Sequence, residues 1–322
     1  MVPSMFSVEE SMFGDIPEYT IRNEDTGESV TVSGLGANIR GLALGEELLQ
    51  VIHGYQAPDD MYSGKWSRGI KMIPFPNRIE DGVYTFRGAR YTLPINFPSQ
   101  HHAIHGLMSN QVLDLVEAAS DGASGHVALE YDFSGKFDGY PFDLVARVRT
   151  LLKRGGLVVE TEAENIGQEP LPLGDGWHPY FRFGDRTDVD SWELRSPARS
   201  RVEMGERLIP TGELTPTDGT DHDFSEMRAI GEMDLDNVYT DLVFRRGTTT
   251  TELRNPDLGR TIKVWQDDVY KYLVIFTPPG ENRNCVAIEP MTCNTNAFNN
   301  QQGLMMLEPG GKFLGRYGVT LE

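Results

Sequence analysis

The stretch LVARVRTLLKRGGLVVETEAE, residues 144–164, decides the fold class. Apolar Leu144, Ala146 and Val148 recur at every second position, and arginines lie among the residues between them. A period of two is the spacing of a β-strand with one buried face. Residues 153–156 contain two glycines, which favour a tight turn and a second, antiparallel strand. The segment therefore predicts a β-hairpin.

Strand patterns of the same kind occur along the rest of the chain. Helix signals are scarce, and residues 226–230 are expected to form a single helical turn. The 34 glycines and 19 prolines are spread along the chain rather than gathered into a linker. The sequence predicts an all-β protein, a large antiparallel sandwich or barrel, as one domain over residues 1–322. The remaining predicted strands are the hairpin at 83–93 and residues 19–22, 29–32, 127–131, 261–265 and 272–277.

Composition restricts the class of ligand. The formal net charge is −19 and the pI is about 4.8, which disfavours nucleic acid and anionic membranes as partners. A neutral small molecule suits such a surface better. Two cysteines, Cys285 and Cys293, provide neither a disulfide framework nor a four-thiolate metal site. The first residues lack the basic segment and apolar core of a secretory signal, and no apolar run approaches a membrane span, so a cytoplasmic location is expected.

Two short motifs suggest cofactors, and both suggestions are rejected. Gly34-Leu35-Gly36 resembles part of a dinucleotide fingerprint, but no third glycine and no helical pattern follow. His101 and His105 have the spacing of zinc ligands on a helix, yet a proline before them and a glycine after them indicate a loop. We therefore expect no metal and no cofactor. His105 is interpreted either as a hydrogen-bonding group at the rim of a pocket or as part of a surface loop.

Two further polar residues have settings that suit ligand binding. Arg78 lies between Asn77 and Ile79 after two prolines, so its guanidinium can act as a fixed fork for substrate oxygens. A surface salt bridge is the simpler interpretation. Asp236 precedes Asn237 and an apolar residue, where it can accept hydrogen bonds from hydroxyls or cap a turn.

The strongest candidates for chemistry are His178 and Glu289. His178 lies in Gly-Asp-Gly-Trp-His-Pro-Tyr-Phe, residues 174–181, where Trp177, Tyr180 and Phe181 are expected to stack on a sugar face. Glu289 follows an apolar run, so desolvation is expected to raise its pKa and make it a better base near neutral pH. The alternative is an edge-strand glutamate before a turn. If both side chains face one sugar-sized hollow, with room for a pyranose between them, they form a general acid/base pair.

Five motifs in order resemble the aldose 1-epimerases, also called galactose mutarotases. The resemblance extends over nearly the whole chain and implies the large antiparallel β-sandwich of the galactose mutarotase-like fold, with a sugar bound in an open cleft. It implies that Glu289 is the general base, His178 the general acid and His105 an assisting group. Arg78, Asp236 and Asn77 would hold sugar hydroxyls. The motifs are residues 77–79, 104–106, 176–181, 235–239 and 288–290.

Two departures from the common pattern of the family leave the preferred sugar open. Leu107 follows His105-Gly106 where galactose mutarotases have a second glycine, and residues 73–76 replace a glycine-rich approach to Arg78. The sequence predicts a monosaccharide partner such as galactose or glucose and does not determine the oligomeric state.

Other functions on a similar scaffold are also considered. A hexose-6-phosphate 1-epimerase would need a basic cluster near the cleft, for which Arg68, Lys71 and Arg90 are the candidates. A non-catalytic carbohydrate-binding protein would explain the aromatic residues but not the histidine, glutamate and arginine. A polysaccharide lyase relative is the third alternative.

Overall fold

A computed structural model describes residues 5–186, 188–280 and 283–322 of the chain. Half of the chain is in strands and 5% in helices, so the predicted all-β class is confirmed. Within these ranges the α-helices are α1 (Pro58–Tyr62) and α2 (Ala297–Asn300), and 3-10 helices span Lys65–Ser67 and Val189–Ser191. The strands are β1 (Phe6–Phe13), β2 (Ile16–Asn23), β3 (Ser29–Ser33), β4 (Ile39–Leu44), β5 (Leu49–Gln50), β6 (Ile70–Met72), β7 (Arg78–Glu80), β8 (Val83–Phe86), β9 (Ala89–Thr92), β10 (His102–Ile104), β11 (Asp114–Ser120), β12 (Ser124–Asp132), β13 (Leu144–Lys153), β14 (Gly156–Asn165), β15 (Leu171–Leu173), β16 (Gly176–His178), β17 (Tyr180–Phe181), β18 (Glu193–Arg195), β19 (Ser200–Met204), β20 (Pro210–Pro216), β21 (Arg228–Ala229), β22 (Asp236–Thr240), β23 (Thr248–Asn255), β24 (Arg260–Asp267), β25 (Tyr272–Phe276), β26 (Val286–Met291), β27 (Met305–Leu307) and β28 (Lys312–Leu321).

Two large antiparallel sheets dominate the architecture. The cleft sheet has the order β20-β19-β22-β25-β26-β16-β6, and β17 also pairs with β26. The outer sheet has the order β11-β12-β13-β14-β28-β24-β23-β18-β21. A five-stranded meander, β1 to β5, adjoins them, and three two-stranded ribbons pair β7 with β10, β8 with β9 and β15 with β27.

The main hydrophobic core lies between the two large sheets. Trp177 of β16 stacks on Tyr317 of β28, with ring centroids 5.0 Å apart and planes at 13°. Ile275 and Ile288 of the cleft sheet belong to the same buried cluster as Val264 of the outer sheet. Alternate residues of each cleft-sheet strand thus point into this core, and the residues between them point to the opposite face.

The local predictions from sequence were largely right. Both hairpins form, as β8–β9 and β13–β14, and every predicted strand corresponds to an observed one. The helical turn at 226–230 is wrong, because Arg228–Ala229 pairs as an edge strand with Glu193 and Leu194. Close packing explains the glycine at position 36, because a Cβ atom there would lie 2.4 Å from the carbonyl oxygen of Ser109.

Candidate active site

An open cleft of about 580 Å³ lies on the face of the cleft sheet that points away from the main core. Its walls come from the segment around α1, the ribbon β7–β10 and the strands of the cleft sheet. All six residues predicted from the sequence line it: Asn77, Arg78, His105, His178, Asp236 and Glu289.

Strand register brings His178 and Glu289 together. Gly176 is paired with Met291 and Tyr180 with Ala287, so the antiparallel register places His178 directly opposite Glu289. On its other side Glu289 is paired with Val274 of β25. Glu289 therefore lies within an interior strand, and its interpretation as an edge-strand residue before a turn is wrong.

His178 and Glu289 touch each other at the floor of the cleft. Nε2 of His178 lies 3.3 Å from Oε1 of Glu289, and the side chains are 8% and 2% exposed. Within the described part of the chain, Nδ1 of His178 and Oε2 of Glu289 have no hydrogen-bond partner. The expected hollow between the two groups is absent, because neighbouring strands of a sheet are only about 4.8 Å apart. A sugar has room over the pair instead.

Burial moves the pKa values of the two groups in opposite directions. Desolvation raises the pKa of Glu289 well above its usual value, Asp236 adds to the rise, and Arg78 opposes it. Desolvation also lowers the pKa of His178 to about 3, and Arg78 contributes to the fall. Both shifts disfavour the charged form, so burial favours a protonated Glu289 beside a neutral His178.

Arg78 is fixed beside the pair by neutral side chains. Its terminal nitrogen donates to Oδ1 of Asn77 at 2.8 Å, and its Nε donates to Oε1 of Gln100 at 3.1 Å. No salt bridge joins it to a carboxylate among the described residues, so the surface salt-bridge interpretation is wrong. Burial lowers the pKa of Arg78, while the nearby carboxylates of Asp236 and Glu289 oppose that shift. For the other donors of the guanidinium no partner is found among the described residues, so they are available to a ligand.

His105 lies in the cleft wall rather than in a surface loop. It follows β10 with φ of +60°, and its ring meets that of His178 edge to face, with centroids 5.1 Å apart. Burial lowers the pKa of His105 well below its usual value, with further contributions from His178 and Arg78. His101 is exposed, contacts Asp81 and is not among the described residues that line the cleft.

The aromatic residues of the cleft differ in part from those expected. Trp177 and Phe181 are buried in the main core because they alternate with the cleft-facing residues, so their predicted stacking on a sugar is wrong. Tyr180 does line the cleft, and its ring stacks on that of His178 at 5.0 Å. Trp66 and Phe276 also line the cleft, and neither was predicted from the sequence as a site residue. Trp66 stands in a segment without periodicity, so no sequence signal marked it.

The described residues that line the cleft do not include the basic cluster that a phosphate would require. Lys71 is buried on the opposite side of the sheet, with its Nζ 2.6 Å from Oδ2 of Asp175. Neither Arg68 nor Arg90 is among the described residues that line the cleft, where Arg78 is the sole lysine or arginine.

Comparison with known proteins identifies the family. The model of the aldose 1-epimerase family matches residues 17–320, so the chain belongs to this family of isomerases. The uncharacterized protein YihR of Escherichia coli (strain K12) is 31% identical over 243 residues, 75% of each protein. The galactose mutarotase of Rattus norvegicus is 26% identical over 71% of this chain and 68% of that protein.

Solved structures show the same fold. A galactose mutarotase-like protein from Clostridium acetobutylicum matches with a TM-score of 0.86 at 20% identity, covering 99% of this chain and 98% of that one. Galactose 1-epimerase from Lactobacillus acidophilus NCFM matches with a TM-score of 0.82 at 19% identity, over 99% of both chains. The galactose mutarotase-like sandwich predicted from the motifs is thereby confirmed. No helix in the described ranges is long and apolar enough to cross a bilayer, and the cytoplasmic location stays a prediction.

Proposed function

We propose that this protein interconverts the α and β anomers of a free aldose by opening and closing the sugar ring. The observation that carries the proposal is the 3.3 Å contact between His178 and Glu289 on the floor of an open cleft. An imidazole and a carboxylate in contact can exchange one proton and can each reach a different oxygen of a bound sugar. Arg78, Asn77 and Asp236 stand around this pair and are suited to hold hydroxyl groups.

In the proposed reaction Glu289 removes the proton of the anomeric hydroxyl, while His178 gives a proton to the ring oxygen. The C1–O5 bond breaks and leaves an open-chain aldehyde. Rotation about C1–C2 presents the other carbonyl face, and reversal of both proton transfers closes the ring. His105 assists at the reacting centre. Each chemical step couples two proton transfers to the breaking or forming of the C1–O5 bond, and the scheme uses no metal or nucleotide.

These roles require a particular distribution of the proton. Burial favours the proton on Glu289, because it disfavours the charged form of both groups. It must therefore pass to His178 when the sugar binds. The positive charge of Arg78 stabilises the Glu289 carboxylate and opposes the effect of burial, and sugar hydroxyls that donate to the carboxylate act in the same direction.

The variant Glu289→Gln tests the proposal. The amide keeps the size of the side chain but cannot accept the proton, so kcat should fall by roughly 10²–10⁴-fold while sugar binding survives. Polarimetry of freshly dissolved α-anomers measures the rate, and calorimetric titration measures binding. Glu213→Gln is the matched control, because Glu213 is exposed on the edge strand β20 of the same sheet. Near-normal turnover of Glu289→Gln would reject the assignment.

The alternative substrate is a hexose 6-phosphate. With a single guanidinium and no lysine among the described lining residues, the cleft offers little to a dianion in a protein of charge −19. We therefore infer that free sugars are preferred, and rates for galactose and galactose 6-phosphate measured side by side would decide. A purely carbohydrate-binding role would not explain why His178 and Glu289 are in contact on the floor of the cleft.

A further inference from the structure

The segment that leads into β6 has an unusual backbone. Gly64, Trp66 and Ser67 have φ of +63°, +59° and +52°, so three of four consecutive residues are left-handed. Only glycine adopts this conformation without steric conflict, and a bulky tryptophan there is a genuine outlier. Such strain persists where the surrounding structure imposes it, and it concentrates at functional sites. Here it holds the Trp66 side chain in the wall of the cleft.

Trp66 ends a row of rings that begins at the acid/base pair. Its ring stacks on Phe276, with centroids 6.3 Å apart and planes at 29°. Phe276 meets Tyr180 edge to face at 6.3 Å, and Tyr180 stacks on His178 at 5.0 Å. Trp66 is half-buried, so part of its ring remains open to the cleft. The row forms an apolar wall beside the reacting groups.

A polar group stands next to this wall. Asp236 of β22 is paired directly with Phe276 of β25, so the two side chains share one face of the sheet. Asp236 is exposed, which leaves its carboxylate free to accept hydrogen bonds from a ligand. An aromatic surface adjoining a hydroxyl acceptor fits a pyranose, whose C–H groups form an apolar face and whose hydroxyls surround its edge.

We propose that Trp66 binds the C–H face of the sugar and is a specificity-determining residue of the cleft. The inference rests on the proposed function and extends it. The negative face of the indole attracts the partially positive C–H groups of the sugar. An aldose whose C–H face is uninterrupted gains this contact, and an axial hydroxyl on that face pushes the ring away. Trp66 therefore discriminates among aldoses through KM rather than through proton transfer.

The variant Trp66→Gly removes the ring without backbone strain, because glycine adopts the left-handed conformation readily. KM for the preferred sugar should rise about five- to thirtyfold, the effect of losing one good aromatic contact. We expect kcat to stay within about twofold of the wild type, because proton transfer at Glu289 and His178 does not involve the indole. Trp66→Phe keeps an aromatic surface and should keep KM within about threefold. If Trp66→Gly fails to fold, Trp66→Asn serves instead, since asparagine tolerates the same conformation.

Tryptophan fluorescence gives a direct measurement of binding. Of the four tryptophans, Trp177 and Trp192 are fully buried, and Trp265 lies on β24 of the outer sheet, away from the cleft. Sugar binding should therefore change the emission of Trp66 above all. The change should disappear in Trp66→Phe and persist in the control Trp265→Phe.

The outcomes separate the two claims. A wild-type KM in Trp66→Gly or Trp66→Asn, or an unchanged fluorescence response in Trp66→Phe, would overturn the role of Trp66. If the wild-type protein accelerated mutarotation of no sugar in a broad panel, the proposed function would fail. A fluorescence response to sugar that Trp66→Phe abolishes would still support the binding role in that case.

Discussion

A buried ion pair beneath the active site offers the sharpest test of the packing. Nζ of Lys71 on β6 lies 2.6 Å from Oδ2 of Asp175, which precedes β16, and the side chains are 1% and 0% exposed. Tyr270 donates a hydrogen bond to the same carboxylate oxygen at 2.7 Å, and Lys71 donates to the hydroxyl of Tyr317 at 3.2 Å. Burial lowers the pKa of Lys71 and raises that of Asp175, while each charge opposes the shift of the other.

Lys71→Met keeps most of the side-chain volume and removes the charge, which leaves the Asp175 carboxylate buried without a cation. Breaking a buried pair in this way costs about 3–5 kcal/mol of unfolding free energy. With a shift of about 2 °C per kcal/mol for a chain of this size, Tm should fall by roughly 6–10 °C. Without Lys71 the pKa of Asp175 rises further, so the folded state binds a proton that the unfolded state releases. The stability of the variant should therefore decrease as pH rises above the ordinary aspartate value.

Urea denaturation at pH 5 and pH 8 measures both effects. The loss of unfolding free energy in Lys71→Met should be larger at pH 8 than at pH 5. At pH 8 the unpaired Asp175 carboxyl must either be buried as an anion or hold a proton that the solvent would remove, and both are unfavourable. Lys65→Met is the matched control, because Lys65 pairs with Asp60 at 3.3 Å with half of its side chain exposed. An exposed pair contributes about 0–1 kcal/mol, so the control should be close to the wild type. A deficit of Lys71→Met below about 1 kcal/mol, or one independent of pH, would refute this reasoning.

Three further predictions concern the site and its supports. Burial lowers the pKa of His178 to about 3 and raises that of Glu289, so a second proton enters the pair only in strong acid. The value of kcat/KM should therefore fall near pH 3 as pH is lowered. A fall near pH 4.5, the usual glutamate value, would contradict a pair that shares one proton. Arg78→Lys keeps the charge but loses the planar fork, so kcat/KM should fall by about 10–100-fold, and a change below threefold in steady-state assays would exclude a hydrogen-bonding role. In thermal melts Gly106→Ala should destabilise the fold far more than Gly88→Ala, although both glycines have positive φ. A Cβ atom added at Gly106 would lie 2.3 Å from the carbonyl oxygen of Ile73, whereas one added at Gly88 would have no atom within 4 Å. Equal melting temperatures of the two variants would show that backbone strain alone matters.

The limits of sequence-based prediction follow from the range of the interactions. The hairpins β8–β9 and β13–β14 were predicted because alternation and turn composition are local properties. The short segment Arg228–Ala229 was assigned wrongly because its conformation is set by pairing with β18, which is distant in the chain. Trp66 was missed for a related reason: a left-handed residue in an irregular segment leaves no periodic pattern. The resemblance of the motifs to a known family indicated the residues of the site. The contact between His178 and Glu289 could not be read from the motifs, because it depends on the register between β16 and β26.

The phase of one short strand links the stability of the fold to the chemistry of the cleft. In β16 Trp177 is paired with Lys71, on the core side that also holds Asp175, while Gly176 and His178 lie on the cleft side. A slip by one residue would turn His178 into the core and expose Trp177, because side chains alternate between the two faces of a sheet. Such a slip would also separate Lys71 from Asp175, so the buried ion pair penalises it. We therefore expect the pair to help specify the register that sets His178 opposite Glu289. This would give a charged pair within an apolar core a physical role.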